Sequence, residues 1–277
     1  MNKLFTILCM VTLLVFHTSC KNSVMDLESP NVEMKTRVDN QRVQHLIRRA
    51  RQGDVEACNS LVLCYRDGDG VEKNWLNMIC MYVIYSQKTG GDIENVIELF
   101  EEGHPFRLIF EIMDLPSFNE KAEAKLEQLK QLAPAEAKAI EAVKNVFSVD
   151  EATQAMSTIR EAEEEGSEMA VILQTVYYDQ IKDKTGQEDC LIRFAQKYPF
   201  YNLFLGEVYV KRYAENKDFS YIQKAIECYY KADACGMLTP KYANALWGMY
   251  DYFGKKGLLE YDEQEVERLK VLAKRTY

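Results

Sequence analysis

Gly53-Asp54-Val55-Glu56-Ala57, continuing through Leu61 and Tyr65 to Asp67-Gly68-Asp69-Gly70-Val71 and then Asn74-Trp75-Leu76-Asn77-Met78-Ile79, is the stretch on which the fold turns. Ala57 and Leu61 fall on one face of a helix that ends near Tyr65. Gly68 and Gly70 supply a turn that other residues would strain, and a second helix returns Met78, Ile79 and Tyr82 against the first. The order predicts a helical hairpin.

Working outward, the same order recurs. Leu205-Gly206-x-x-Tyr209 repeats the first helix, and Lys224-Ala225-Ile226-Glu227-Cys228-Tyr229-Tyr230-Lys231-Ala232 through Gly236 repeats the second. Glu215-Asn216-Lys217-Asp218 stands in place of the glycine turn, so a longer or differently shaped connection is expected there. Leu246-Trp247-Gly248-Met249-Tyr250 reads as a further first helix, with Gly254 and Gly257 in the turn and Glu263 to Lys274 as a closing helix. Weaker echoes fall at Gly91-Asp92-Ile93-Glu94 and at Gly166 with Met169, Leu173 and Tyr177. The stretch from Gly53 resembles the Sel-one-like repeat, a relative of the tetratricopeptide repeat, over about 36 residues. Val62 stands where that family has glycine, which implies slightly wider helix packing. The resemblance implies an all-α fold, a right-handed α-solenoid of antiparallel helical hairpins with a long accessible concave face. Proteins built of such repeats act as adaptors for other proteins or peptides, and the repeat supplies no enzymatic activity.

Composition agrees with helices. From Val32 onward apolar spacing is helical nearly everywhere, and 13 Gly with 6 Pro among 277 residues lean against an all-β architecture with its many special turns. Pro105 after Gly103-His104, and the pairs Ser117/Glu120, Ser148/Glu151 and Thr239-Pro240, mark helix starts by capping box or by proline at the first helical position. Pro134 divides Asn119 to Phe147 into two helices whose buried side is Leu126, Leu129, Leu132, Ile140, Val143 and Phe147. With 43 Asp and Glu against 34 Lys and Arg, a net charge of −9 argues against a phosphate-tracking nucleic-acid binder.

Residues 1–19 read as an export signal. Lys3 gives a basic start, and Leu4 to Phe16 is too short for a spanning helix of about 20 residues. His17-Thr18-Ser19-Cys20 resembles the bacterial lipobox, which implies lipid attachment at Cys20 and an outer-membrane lipoprotein of a Gram-negative envelope; a plain secretory signal is the alternative. Residues 20–31 read as anchor cysteine and polar tether, and 32–277 as the helical repeat domain.

Reactive chemistry has few components. His17 would leave with the signal, and His45 and His104 are the remaining imidazoles; an exposed helix face suits the first and a turn or cap the second. Phosphate loops, nucleophile elbows and His-Glu-x-x-His are absent from the sequence, and no metal or cofactor is expected. Asp67 to Gly70 superficially matches a calcium loop but lacks its twelve-position ligand series. Arg42, Arg48, Arg49 and Arg51 are expected to solvate the first helix, beside an anionic-headgroup alternative. Glu161 to Glu168 reads as a solvated helix end that could attract a basic partner. Cys58, Cys64, Cys80, Cys190, Cys228 and Cys235 contain no C-x-x-C; a Cys64–Cys80 bridge is sterically open, and free buried thiols fit as well. Tyr65, Tyr82, Tyr209 and Tyr229 are expected in the repeat core, whereas Trp247, Tyr250, Tyr230 and Phe200 are the candidate contact residues for a protein or peptide. A glycan-binding accessory lipoprotein is the alternative, for which exposed aromatic platforms are the expected sign.

Overall fold

The computed structural model describes residues 41–113, 115, 118–143, 149–181, 183–258 and 262–273. The export signal, Cys20, the tether, Ser117, Phe147 and Ser148 lie outside the described residues. Those that are described form thirteen α-helices and one 3-10 run, with no strand among them.

They divide into two compact units, one running from Glu94 to Cys190 and the other combining the segment before Glu94 with the segment from Leu191. The second, split unit contains α1 (Gln41–Arg51), α2 (Val55–Asp67) and α3 (Trp75–Thr89). Its later segment carries α10 (Tyr201–Asn216), α11 (Ser220–Asp233), α12 (Pro240–Gly254) and α13 (Glu263–Ala273). The continuous unit holds α4 (Pro105–Met113), α5 (Glu120–Leu132), α6 (Pro134–Val143), α7 (Val149–Glu164) and α8 (Glu168–Gln180), and the division falls within α9 (Lys184–Lys197). Helices adjacent in sequence pack on one another: α2 on α3, α10 on α11, α12 on α13, and α5 through α8 in succession.

Local chemistry explains the boundaries. Asp54 caps α2 by accepting from the Ala57 amide at 3.1 Å, and that bond, with Arg49 beside it, holds its carboxyl below the usual range against the cost of burial. Gly68 then ends the helix in the left-handed region at φ 77°. Asn74 caps α3 through a 2.7 Å bond from the Asn77 amide. The hairpin read from the sequence is therefore present, with Ala57, Leu61, Met78 and Ile79 buried between its helices.

Several expectations are corrected. Of the two alternatives for the α10–α11 connection the differently shaped one holds: it is short, because Lys217 itself adopts the left-handed conformation at φ 57° and accomplishes with a side chain what glycine does after α2. Asn119 caps α5, accepting from the Lys121 and Ala122 amides at 3.0 and 3.2 Å, so the start lies two residues beyond Ser117. Thr239 stands at the N-cap of α12 ahead of Pro240, yet its Oγ1 makes no capping bond. The echo at Gly91 gives a 3-10 run, Ile93–Leu99, in place of an α-helix, with Gly103-His104-Pro105 cutting it off from α4. Leu132 is 57% exposed, since six residues rotate it by about 120° from Leu126 around the helix. Leu126, Leu129, Ile140 and Val143 are buried. His104 does act locally: its Nδ1 accepts from the Phe106 amide at 3.2 Å where α4 begins.

Candidate interaction surface

The first helices of three hairpins in the split unit share one register. Leu61 and Tyr65 on α2, Leu205 and Tyr209 on α10, and Leu246 and Tyr250 on α12 are all buried, so the same two positions of each helix build the core. On α10 the residue after the leucine faces the partner helix. At Gly206 a Cβ would lie 2.8 Å from Cδ1 of Tyr229, so glycine is what lets that ring from α11 lie against α10. Val62 and Trp247 occupy the corresponding places on α2 and α12. The next residue turns outward: Leu63 is exposed, and Glu207 and Gly248 are partly so.

This register relocates the aromatics. Phe200, Tyr230 and Tyr250 are buried, so three of the four candidate contact residues belong to the core. Phe200 stacks edge-on against Phe204 at 5.3 Å, and the Tyr230 hydroxyl donates to that of Tyr250 at 2.8 Å. Burial pushes the Tyr250 hydroxyl up to about 12 and that of Tyr230 higher still. Sequence spacing identified them as aromatic but not which side of the hairpin they face. Trp247 alone of the four reaches the surface in part, its indole Nε1 enclosed without a partner. Among the expected core tyrosines, Tyr65, Tyr209 and Tyr229 are buried, and half-buried Tyr82 donates to the Asp92 carbonyl at 3.2 Å.

The surface of this unit is charged and aromatic together. Glu207 on α10 accepts from the Tyr242 hydroxyl at 2.9 Å and from Lys241 at 3.2 Å, linking two successive first helices. Lys224 lies over both Tyr209 and Tyr221, at 5.5 and 5.4 Å from their ring centres. Tyr252, 39% exposed, stacks under Lys256. The basic run of α1 is largely consumed: Arg42 pairs with Asp69, Arg49 with Asp54 at 2.6 Å and Arg51 with Asp233 at 2.9 Å, leaving Arg48 exposed to solvent.

Asp233 was not legible as a special residue. Its side chain has no exposure and accepts from Arg51 at 3.0 and 2.9 Å and from Arg268 at 3.2 and 2.8 Å. Arg268 also donates to the Arg51 carbonyl at 3.0 Å and pairs with Glu265 at 2.6 Å. One buried carboxylate thus joins α1, α11 and α13, with partners 182 residues apart in sequence on one side. A second buried contact is Lys88, which donates to Cys58 Sγ at 3.4 Å and to the Ala50 carbonyl at 3.5 Å. Burial pushes the Cys58 thiol up despite this neighbour. All six cysteines of the described residues are buried thiols, so Cys64 and Cys80 are not bridged.

In the unit from Glu94 to Cys190 the chain carries 22 Asp and Glu against 9 Lys and Arg, so most of the molecule's negative charge resides there. The Glu161–Glu168 stretch is partly neutralised, because Lys138 bridges Glu161 and Glu165 at 3.0 and 2.7 Å. Glu136 of α6 is buried and receives Ser167 Oγ at 2.5 Å and the Glu168 and Met169 amides at 3.0 and 3.1 Å, capping α8 from outside its own chain segment. Among the described residues no group of three or more His, Cys, Asp or Glu side chains gathers in metal-ligating geometry, and no helix is long and apolar enough to cross a membrane.

Comparison with known protein families, with curated proteins and with solved structures finds no match to this chain.

Proposed function

We propose that the protein is a cell-envelope lipoprotein, anchored to the outer membrane through Cys20, whose Sel-one-like helical hairpins stack as a right-handed solenoid and hold a protein or peptide partner. The supporting observation is the shared register of α2, α10 and α12: the same leucine and tyrosine positions are buried in each, and the second residue after the leucine is exposed or partly exposed in each. Repeated first helices carrying a periodic outer face are what an adaptor surface requires. The partner-facing residues in this reading are the outward ones, Leu63, Glu207 and Gly248 with Lys241 and the exposed edge of Trp247. Binding is an equilibrium event that uses no cofactor and transforms no substrate. The glycan alternative needs aromatic platforms at the surface, and Phe200, Tyr230 and Tyr250, first read as contacts for a protein or peptide, are buried and supply none.

The anchor is tested by metabolic labelling with a fatty acid: incorporation is expected in the full-length protein and absent in Cys20→Ala, and equal labelling defeats the lipoprotein reading. The adaptor role is tested by cross-linking and affinity capture from envelope extracts. A partner retained by the unmodified protein and lost on Leu63→Glu with Glu207→Lys is expected. Capture unaffected by those changes, or turnover of a substrate by the purified protein, defeats it.

A further inference from the structure

Lys88 is 6% exposed, a rare place for an ammonium group. Among the described residues its Nζ has two partners, Cys58 Sγ at 3.4 Å and the Ala50 carbonyl at 3.5 Å, and no carboxylate. Both contacts are long, and the Ala50 oxygen already accepts from the Gly53 amide at 2.9 Å. The acid that acts on this thiol, Asp54, is engaged by Arg49 at 2.7 Å and by the Ala57 amide at 3.1 Å. A buried cation so thinly served is costly, and an apolar side chain would fill the same place without that cost. What the lysine does supply is an amine nitrogen held against a thiol sulfur. Cys58 lies in the first turn of α2, Lys88 in the last turn of α3 and Ala50 in the last turn of α1, so the pair stands where three helix ends meet. Helix ends open ahead of helix middles, which admits a molecule as small as a peroxide without unfolding the unit. Burial keeps Cys58 in the thiol form, and Lys88 opposes that by favouring the thiolate, the form that an oxidant attacks.

We propose that Cys58 and Lys88 form an oxidation-dependent cross-linking site, which a peroxide converts into a covalent Nζ–Sγ bond tying the start of α2 to the end of α3. In the first step the Cys58 sulfur gives two electrons to hydrogen peroxide. The O–O bond breaks, one oxygen stays on sulfur as the hydroxyl of a sulfenic acid, and the other leaves as water with the thiol proton. In the second step the Lys88 nitrogen displaces that hydroxyl. The S–O bond breaks as the N–S bond forms; the hydroxyl leaves as water with one ammonium proton, and a second ammonium proton passes to solvent. The product is an uncharged sulfenamide, so the reaction discharges the buried cation as it fastens the first hairpin. Excess dithiol reverses it, returning amine and thiol while the reductant becomes a disulfide. The site is independent of the adaptor reading.

The test exposes the full-length protein to dilute hydrogen peroxide and sequences its proteolytic fragments by mass spectrometry. A species joining the fragment with Cys58 to the fragment with Lys88, at their summed mass less two hydrogens, is expected, and dithiothreitol should release both. The cross-link should be lost in Lys88→Arg, which keeps the charge, and Cys58 of that variant should instead be trapped as its sulfenic acid by dimedone. If Lys88→Arg does not fold, the unmodified protein decides by itself through the sequenced cross-link and its release. Cys58 left unmodified while other thiols oxidise, Cys58 stopping at an unlinked sulfenic or sulfinic acid, or linkage to a different residue overturns the proposal.

Discussion

Gly206 shows how much one absent methyl group decides. A Cβ there would meet three atoms of the Tyr229 ring, and Tyr229 is itself buried, so the ring has nowhere to swing. The sequence made this glycine conspicuous through its Leu-Gly-x-x-Tyr setting, whereas Gly186 on α9 lacked that setting although Tyr178 lies against it in the same way, 2.7 Å from a Cβ. In the first hairpin Val62 replaces glycine. Counting back seven residues from the left-handed glycines Gly236 and Gly90, the residue matching Tyr229 is Val83, which is buried as Val62 is. Gly206→Ala is accordingly expected to cost about 1–3 kcal/mol by overpacking, read from the midpoint of denaturant unfolding. The cost should shrink when Tyr229→Val is already present. An undiminished cost in that background would mean the steric account is wrong.

At the scale of the element, helix ends carry the information. Asp54, Asn74 and Asn119 cap their own helices through side chains one to three residues away, which is why such starts are legible from short patterns. The start of α8 has a local cap as well, Ser167 accepting from the Ala170 amide at 3.0 Å, but its second cap, Glu136, comes from α6, some thirty positions earlier, and no local pattern encodes that one. Burial raises the Glu136 carboxyl above its ordinary 4.5, opposed by the Ser167, Glu168 and Met169 donors. With the folded value above the unfolded one, this group's contribution to stability is full below the unfolded value and is lost as pH rises through the folded one. The difference in melting temperature between the unmodified protein and Glu136→Gln should therefore shift in favour of the variant as pH rises above the ordinary carboxyl value of 4.5. A difference that is constant or grows with pH contradicts this assignment.

For the whole molecule, helical class and the hairpins at Gly53, Leu205 and Leu246 follow from spacing, because apolar period and glycine turns are local properties. What spacing does not encode is that the first hairpin and the later ones share a unit while residues 94–190 form another, since that depends on contacts between distant segments. The burial of Tyr230 and Tyr250 was hidden for the same reason: the acid network above them draws on α1, α11 and α13 together. Asp233 is the most exacting member. Two guanidinium groups neutralise it at zero exposure, so removing Arg51 or Arg268 singly leaves one counter-charge and removing both leaves a buried carboxylate alone. The double variant Arg51→Ala/Arg268→Ala is expected to lose about 3–5 kcal/mol, more than the two single losses combined, because each arginine covers in part for the other. Adding Asp233→Asn should recover a substantial part of that loss by discharging the orphaned site. Strict additivity of the arginine variants, or no recovery once the acid is replaced by its amide, would show that the network does not tie the early segment of this unit to the late one.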